Sequence, residues 1–252
     1  MSDEETIDIV GVSAHPDDTE IGVGGTLAKF AKMSGLTTGI IDLTTAEPTP
    51  LNSKYRSPDD FDPDYAEVRL EESRKAAEIL DIKRRTLNLP NRRLFDDFKS
   101  RCALATVFRE WKPKVVITIY GRTVMASPDH YQAQLLAEAS VFYSRLTKWE
   151  KYFNNLPVHK IKNLLYFPVR AVSTGLHPEN YTSFFVDITE EINQKRKALE
   201  AYESQFQSQG HGKFIEMIIE NNRALGSRIG VKYAEHLASP SPLKIDDFSM
   251  FM

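Results

Sequence analysis

The sequence lacks several features that mark secreted, membrane-spanning or disulfide-bonded proteins. It contains one cysteine in 252 residues, so no disulfide can form within the chain, which is compatible with a reducing compartment. This residue, Cys102, lies in a helix-like apolar run, where a small buried side chain is expected rather than a catalytic thiol. No apolar run approaches the roughly 20 residues needed to cross a bilayer. We therefore expect no membrane span.

The chain also lacks an excess of positive charge. Its 32 lysine and arginine residues face 35 aspartate and glutamate residues, for a net charge of −3. Such a balance provides no general basic surface for a phosphate backbone, so no nucleic-acid partner is predicted. The acidic first residues lack the basic start and apolar run of a secretory signal. Together these absences predict a cytoplasmic protein.

What the sequence does contain is a repeated alternation of strand-like and helix-like segments. Residues 7–12 form an apolar run rich in β-branched residues, and residues 22–34 have helical spacing. The alternation continues through 38–43 and 66–80, 85–89 and 99–111, and 115–120 and 130–145. Repeated strand and helix units predict an α/β fold, with a mostly parallel sheet and helices on both faces.

The pattern changes after residue 152, where strand-like segments at 163–169 and 184–188 precede helix-like segments at 189–209 and 213–225. No linker-like stretch separates them from the rest, so we expect residues 153–252 to add to the same sheet within a single domain, 1–252. Residues 45–64 contain four prolines and five acidic residues and follow the end of a strand. Long loops at that edge of an α/β sheet often bind ligands, which predicts an active-site loop.

A first polar cluster, His15 to Asp18, comes directly after the first predicted strand. Imidazole and carboxylate groups are ordinary zinc ligands, and a catalytic zinc site uses three protein ligands with one open position. Asp18 can bind the metal while Asp17 acts as a base. The alternative is a polar turn in which Asp and Pro are present for backbone reasons. Taken alone, the cluster leaves these two interpretations about even.

A second polar cluster, Ser127 to His130, follows the strand predicted at 115–120 and opens the next helix. It should therefore lie at the same edge of the sheet as the first cluster. His130 can supply the third ligand, and Asp129 can orient a neighbouring group from behind the ligands. In the alternative, His130 is a residue of the first helical turn and Asp129 is a helix cap. This alternative accounts for Asp129 but does not explain the pairing of His130 with His15.

These clusters belong to a longer set of motifs. The set comprises Ala14-His15-Pro16-Asp17-Asp18-Thr19-Glu20, Gly24-Gly25-Thr26-Leu27, Arg69-Leu70-Glu71-Glu72 with Ala76-Ala77, and Pro128-Asp129-His130. By these motifs the sequence resembles the PIG-L/LmbE-like N-acetylglucosaminyl deacetylases. Further segments are similar to the bacillithiol-biosynthesis branch: Glu47-Pro48-Thr49-Pro50, Leu89-Pro90-Asn91-Arg92, 183–189 and 230–235.

The resemblance implies a Rossmann-like fold and hydrolysis of the acetamide of an N-acetylglucosaminyl conjugate, a small molecule. It implies Zn²⁺ held by His15, Asp18 and His130, with Asp17 as the general base. The bacillithiol branch implies N-acetylglucosaminyl malate as the substrate.

Two arginines are expected at the substrate. Arg69 matches the family's substrate-facing arginine, and with Arg92 it would meet the malate carboxylates in charge-assisted pairs. Glu72 shares the helix face of Arg69. It either positions Arg69 or forms a salt bridge in solvent.

Two positions depart from the family. The first is Ser127, where the family usually has a histidine that stabilises the oxyanion, and losing one such donor costs about 10²–10³ in rate. His177 is the residue we expect to replace it. The second is Tyr202, where many members have a histidine.

Two other interpretations are weaker. Gly22, Gly24 and Gly25 open a helix ahead of a strand that ends at Asp42, as in a dinucleotide- or adenosyl-cofactor-binding enzyme, but the third glycine of that motif would fall at Leu27. A zinc-binding relative with altered catalysis would account for the serine at the oxyanion position. The aromatic residues of 142–153 favour core or subunit contacts, the latter in a homo-oligomer.

Overall fold

Seven strands of the described chain join one sheet. The computed structural model describes residues 6–33, 35–123, 126–168, 181–206 and 212–244. The strands are β1 (Ile9–Ser13), β2 (Thr38–Asp42), β3 (Lys83–Thr86), β4 (Val115–Ile119), β5 (Asn163–Phe167), β6 (Thr182–Asp187) and β7 (Ala234–Ser239). The helices are α1 (Asp18–Ala31), α2 (Pro63–Leu80), α3 (Phe98–Trp111), α4 (Asp129–Tyr143), α5 (Ile192–Glu200), α6 (Glu203–Phe206) and α7 (Gly212–Ser227). Within these ranges no helix has the length and apolar character of a membrane span.

The sheet confirms the predicted α/β class. Its strand order is β3-β2-β1-β4-β5-β7-β6. The first five strands are parallel, and β7 runs antiparallel to both β5 and β6. The strands of the C-terminal part thus extend the sheet formed by the first half. The fold is Rossmann-like, with helices on both faces.

The strand order places a crevice at one end of β1. β2 pairs with one side of β1 and β4 with the other. After β1 the chain continues into β2 on one side, whereas after β4 it continues into β5 on the opposite side. Open α/β sheets bind ligands at such a switch point, outside the carboxyl ends of the strands. Both polar clusters of the sequence follow these two strands.

Buried apolar side chains on both faces of the sheet hold the helices in place. Val10, Ile40 and Ile117 are fully or almost fully buried in the central strands. One cluster joins these strands to α3 and α4 through residues such as Phe108 and Leu136. A second cluster packs α1, α2, α5 and α7 together.

The second helix begins earlier than its apolar pattern predicts. The spacing predicts a start at residue 66, whereas α2 begins at Pro63 because the side chain of Asp62 accepts hydrogen bonds from the amides of Asp64 and Tyr65. An aspartate cap followed by proline at the first helical position is a favourable start. The helix predicted over 189–209 is divided in the structure into α5 and α6, with Tyr202 between them.

The glycines of the first helix have a packing role. A Cβ on Gly22 would lie 2.0 Å from the ring of Phe167, and one on Gly25 would lie 2.8 Å from Ile188. Asp42, the residue a dinucleotide site would need, is buried in a bidentate pair with Arg84, at 2.6 and 2.8 Å. Two of the three glycines, Gly22 and Gly25, are therefore explained by close packing of α1.

Candidate active site

The turn after β1 presents its polar side chains at the crevice. Asp17 has φ 106°, in the region that side chains other than glycine rarely adopt. The amide of Asp18 bonds to the carbonyl of His15, and the amide of His15 donates to Asp18 Oδ2 at 3.0 Å. This tight turn brings the side chain of Asp18 against the amide and ring of His15.

The two polar clusters meet at a candidate metal site. Ligand atoms of His15, Asp18 and His130 all lie within 4.8 Å of one another. His15 Nδ1 is 3.2 Å from Asp18 Oδ2, and His130 Nε2 is 3.4 Å from Asp18 Oδ1. Asp18 and His130 are buried, and His15 is partly buried. The three residues expected as ligands are therefore neighbours in the structure.

The second ring nitrogen of each histidine has a partner of its own. His15 Nε2 lies 3.4 Å from Asp129 Oδ2, and His130 Nδ1 lies 2.8 Å from Thr123 Oγ1. Each ring is thereby oriented with its remaining nitrogen toward Asp18. Two imidazoles and one carboxylate, with the rings held from behind, form the usual donor set of a divalent metal such as zinc. The residues present fit the metal that the resemblance implies.

The surroundings favour positive charge at this point. Burial lowers the pKa of His15, but hydrogen bonds to Asp129 and Asp18 more than offset burial and raise this pKa to about 10. Burial alone would raise the pKa of Asp18, yet the charge and hydrogen bond of His130 and the hydrogen bond of His15 hold it well below its usual range. A carboxylate that stays ionised between two imidazoles is suited to a cation.

Asp17 lies beside a buried arginine. Its Oδ2 lies 3.4 Å from Arg69 Nη2. Burial raises the pKa of Asp17 to about 7, against the opposing charge of Arg69. A carboxyl group that titrates near neutral pH can take up and return a proton under ordinary conditions, as a general base requires.

Arg69 is 1% exposed, and buried contacts account for both ends of its guanidinium. Nη2 also donates to the carbonyl of Pro16 at 3.0 Å, while Nη1 donates to Glu72 Oε2 at 3.1 Å and to Ser204 Oγ at 3.2 Å. Glu72 is itself buried, so of its two interpretations the structure supports the one in which it positions Arg69. A direct contact between Arg69 and substrate stays a prediction.

Asp129 joins the second cluster to the loop after β3. Its carboxylate accepts a hydrogen bond from the amide of Arg92 at 2.6 Å and faces the ring of His15. The side chain of Arg92 is exposed, and its backbone has φ 63°. Ser127 Oγ accepts from the amide of Asp129 at 3.3 Å, a local turn contact. Oxyanion stabilisation by Ser127 and carboxylate binding by Arg92 stay predictions.

Sequence reasoning missed two groups in this region. Thr123, which orients His130, lies in a turn with no motif of its own. Ser204 comes from the C-terminal part of the chain and reaches Arg69 only through the fold. His177, expected to replace the missing oxyanion donor, lies outside the described residues. Two further histidines have partners outside the site, since His159 Nε2 bonds to the carbonyl of Pro113 and His236 Nε2 to Ser183 Oγ.

Three known proteins illustrate what this chain is similar to. The conserved protein TT1542 from Thermus thermophilus is 34% identical, with a TM-score of 0.76 over 97% of this chain and 99% of that chain. Diacetylchitobiose deacetylase from Thermococcus kodakarensis is 26% identical over 202 residues, which are 79% of this chain and 70% of the relative.

A third similar protein has a different activity. GalB, the 4-carboxy-2-hydroxymuconate hydratase from Pseudomonas putida KT2440, is 21% identical, with a TM-score of 0.78 over 96% of this chain and 99% of that chain. At this identity the likeness shows a shared fold alone.

The family described as GlcNAc-PI de-N-acetylase, PIG-L, matches residues 10–141, more than half of the chain and both polar clusters. The chain therefore belongs to the PIG-L family and is a hydrolase of amide bonds.

Proposed function

We propose that this protein is a zinc-dependent N-deacetylase that hydrolyses the acetamide of an N-acetylglucosaminyl conjugate. The observation that carries the proposal is the pairing of Asp17, buried against Arg69 at 3.4 Å, with the convergent group of His15, Asp18 and His130. Asp18 belongs to the cluster and its neighbour Asp17 contacts an arginine, which provides a metal site and a separate base. The family and the deacetylase relative support the reaction type.

His15, Asp18 and His130 would hold the metal. When bound there, zinc supplies a Lewis acid that polarises the acetyl carbonyl and lowers the pKa of water toward about 7. Zinc is the metal proposed because of the ligand types, and histidine–aspartate sites accept other divalent ions as well.

In this proposal one residue transfers protons, and two others orient the groups that take part. Asp17 takes a proton from the attacking water at its carboxylate and later gives it to the leaving nitrogen, so that amide and water become acetate and amine. Arg69 keeps the carboxylate of Asp17 ionised and fixed in direction, since its guanidinium opposes the rise in pKa that burial causes. Asp129 holds the outer nitrogen of His15.

A cleft of about 480 Å³ offers room for the substrate. It lies between the loop 45–64, α2 and residues 88–93, and its lining includes Thr45, Glu47, Pro48, Phe61, Leu70 and Asn91. This size is within the usual range for small-molecule sites. The cleft borders the site, because Asn91 donates to the carbonyl of Pro48 at 2.8 Å while the next residue, Arg92, bonds to Asp129. We propose that 45–64 forms the wall that holds the group attached to the sugar.

The first substrate to test is N-acetylglucosaminyl malate, as the resemblance to the bacillithiol branch implies. Arg69 is engaged with Asp17 and Glu72, so the exposed guanidinium of Arg92 is the group proposed to meet a malate carboxylate.

The cleft lining favours a second candidate substrate. It carries Glu47, Asp59 and Glu67 against Arg93, and this negative balance suits a neutral group such as a second sugar.

The test measures acetate released by the zinc-loaded protein from N-acetylglucosaminyl malate, N,N′-diacetylchitobiose and N-acetylglucosamine. We expect release from at least one conjugate. Asp17→Asn should lower the rate by about 10³-fold or more, since general acid–base catalysis contributes 10²–10⁴, while the bound metal is kept. The matched control is Asp81→Asn, an exposed residue whose positive φ asparagine tolerates.

If the protein binds zinc but releases no acetate from any of these compounds, the proposal is overturned. That result would favour the alternative of a zinc-binding relative with altered catalysis. Tight binding of NAD by the metal-free protein would favour the cofactor-binding alternative instead. Ser127→His tests the oxyanion position separately. A gain in rate would show that serine at this position stabilises the oxyanion less well than histidine does. A cytoplasmic location, a homo-oligomer and the lack of a nucleic-acid partner stay predictions from the sequence.

A further inference from the structure

A short segment of the C-terminal part reaches the proposed base from behind. Tyr202 and Ser204 lie where α5 ends and α6 begins, about 60 residues beyond the family match at 10–141. Tyr202 is completely buried and Ser204 is partly buried. Neither belongs to the two polar clusters, yet both contact groups that hold Asp17.

Ser204 closes a ring of hydrogen bonds with Glu72 and Arg69. Its amide donates to Glu72 Oε1 at 2.6 Å, and its hydroxyl donates to Glu72 Oε2 at 2.7 Å. The same hydroxyl oxygen accepts from Arg69 Nη1 at 3.2 Å, and Glu72 Oε2 accepts from Nη1 at 3.1 Å. Both oxygens of Glu72 are thus used, and one nitrogen of Arg69 is fixed by two partners.

Fixing one nitrogen of a guanidinium fixes the other. The group is planar and rigid, so a restraint on Nη1 also restrains Nη2. Nη2 donates to the carbonyl of Pro16 at 3.0 Å and lies 3.4 Å from Asp17 Oδ2. Ser204 therefore restrains the guanidinium of Arg69, and this rigid group in turn restrains the carboxylate of Asp17.

The ring of Tyr202 supports the face of the same guanidinium. Its centroid is 5.4 Å from Arg69 Cζ and 6.0 Å from Arg84 Cζ, distances at which a cation is attracted to an aromatic face. The phenol donates to Glu20 Oε1 at 2.6 Å, and Glu20 forms an ion pair with Arg84. The ring is therefore anchored at its hydroxyl end and lies beside two buried cations.

We propose that Tyr202 and Ser204 are positioning residues that hold Arg69 against Asp17 and so set the direction of the catalytic carboxylate. The inference rests on the proposed function, in which Asp17 is the base. It assigns a role to a segment that the family match does not cover. It also gives a physical account of Tyr202, where many family members have a histidine, since its aromatic face and hydroxyl meet Arg69 and Glu20 at the same time.

The test compares Ser204→Ala with Ser204→Thr, and Tyr202→Leu with Tyr202→Phe, in the zinc-loaded full chain. Misplacement of a reacting group by about 1 Å costs about 10²-fold, so we expect kcat to fall about 10-fold or more in the Ala and Leu variants. KM and bound metal should stay within about twofold of wild type. Threonine should restore most of the loss at 204, and phenylalanine should retain more activity than leucine at 202. Ser227→Ala is the control, because Ser227 is exposed and its hydroxyl donates to the carbonyl of Ala224 in its own helix.

A double-mutant comparison separates positioning from general destabilisation. If Ser204 acts through Arg69, Ser204→Ala should lower kcat little further in an Arg69→Ala background, because coupled residues are not additive. Losses that multiply would overturn the inference, as would folded, metal-loaded Ala and Leu variants with wild-type kcat. A wild type that releases no acetate overturns the proposed function together with the inference. An active wild type with unaffected variants overturns the inference alone.

Discussion

Asp17 and Asp18 are neighbours in the chain but have opposite electrostatic surroundings. Burial raises the pKa of Asp17 to about 7, whereas two histidines hold the pKa of Asp18 well below its usual range. The sequence predicts that one carboxylate binds metal and the other acts as base. The partners that separate them, Arg69 and His130, come from other parts of the chain. The residue types were therefore predictable, but the environments were not.

The pairing of Asp17 with Arg69 leads to a prediction about pH dependence. A base must be ionised, so kcat/KM falls as the pH drops through the pKa of Asp17. A neighbouring arginine lowers an aspartate pKa by about 1–3 units, so Arg69→Gln should raise this pKa and move the acid limb to higher pH by about one unit or more. The measurement is the pH profile of acetate release.

Arg69→Lys is the matched control for this experiment because lysine keeps the charge. It should lower the rate through lost geometry while leaving the acid limb near its wild-type position. An acid limb that does not move in Arg69→Gln would show that the charge of Arg69 does not act on the base.

At the scale of elements, α1 depends on a contact that the sequence does not reveal. The helix is interrupted at Val23, where φ is −142°. Beyond the break, the carboxylate of Glu235 accepts from the amides of Gly25 and Thr26 at 2.9 and 2.6 Å. Lys195 donates to Glu235 at 2.7 Å and to the carbonyl of Ile21 at 2.8 Å. Helical spacing predicts the helix, but a partner 210 residues away supplies the groups that the break leaves unpaired.

This contact predicts a large loss of stability in Glu235→Gln. Both Glu235 and Lys195 are completely buried, and breaking a buried ion pair by removing one partner costs about 3–5 kcal/mol. Urea unfolding of the two proteins measures the difference. Glu220→Gln, on the exposed side of α7, should change stability by no more than about 0.5 kcal/mol. Equal stability of wild type and Glu235→Gln would show that the pair does not support the helix.

At the scale of the whole molecule, repeated strand and helix units predict the first four of the five parallel strands, because each unit is local in sequence. The order of the last three strands was not predictable in the same way. β7 lies between β5 and β6 and runs antiparallel to both, a pairing that no local pattern encodes. The same limit applies to the site. Motifs predict the proposed ligands and base, whereas the groups that contact His130 and Arg69 from other segments, Thr123 and Ser204, depend on how distant segments meet.

The candidate metal site joins segments far apart in the chain, which predicts a global effect of metal on unfolding. His15 and Asp18 lie at the start of α1 and His130 in the first turn of α4, so an ion held by all three binds the folded chain far better than the unfolded one. Such binding stabilises by about 2.7 kcal/mol when the free metal is 100 times its Kd. Zinc should therefore raise the Tm of chelator-treated wild type by several degrees. His130→Ala should lose most of this rise and Asp17→Asn should keep it, because Asp17 is not one of the three proposed ligands. A rise of equal size in His130→Ala would show that zinc binds elsewhere and would remove the third ligand from the proposed site.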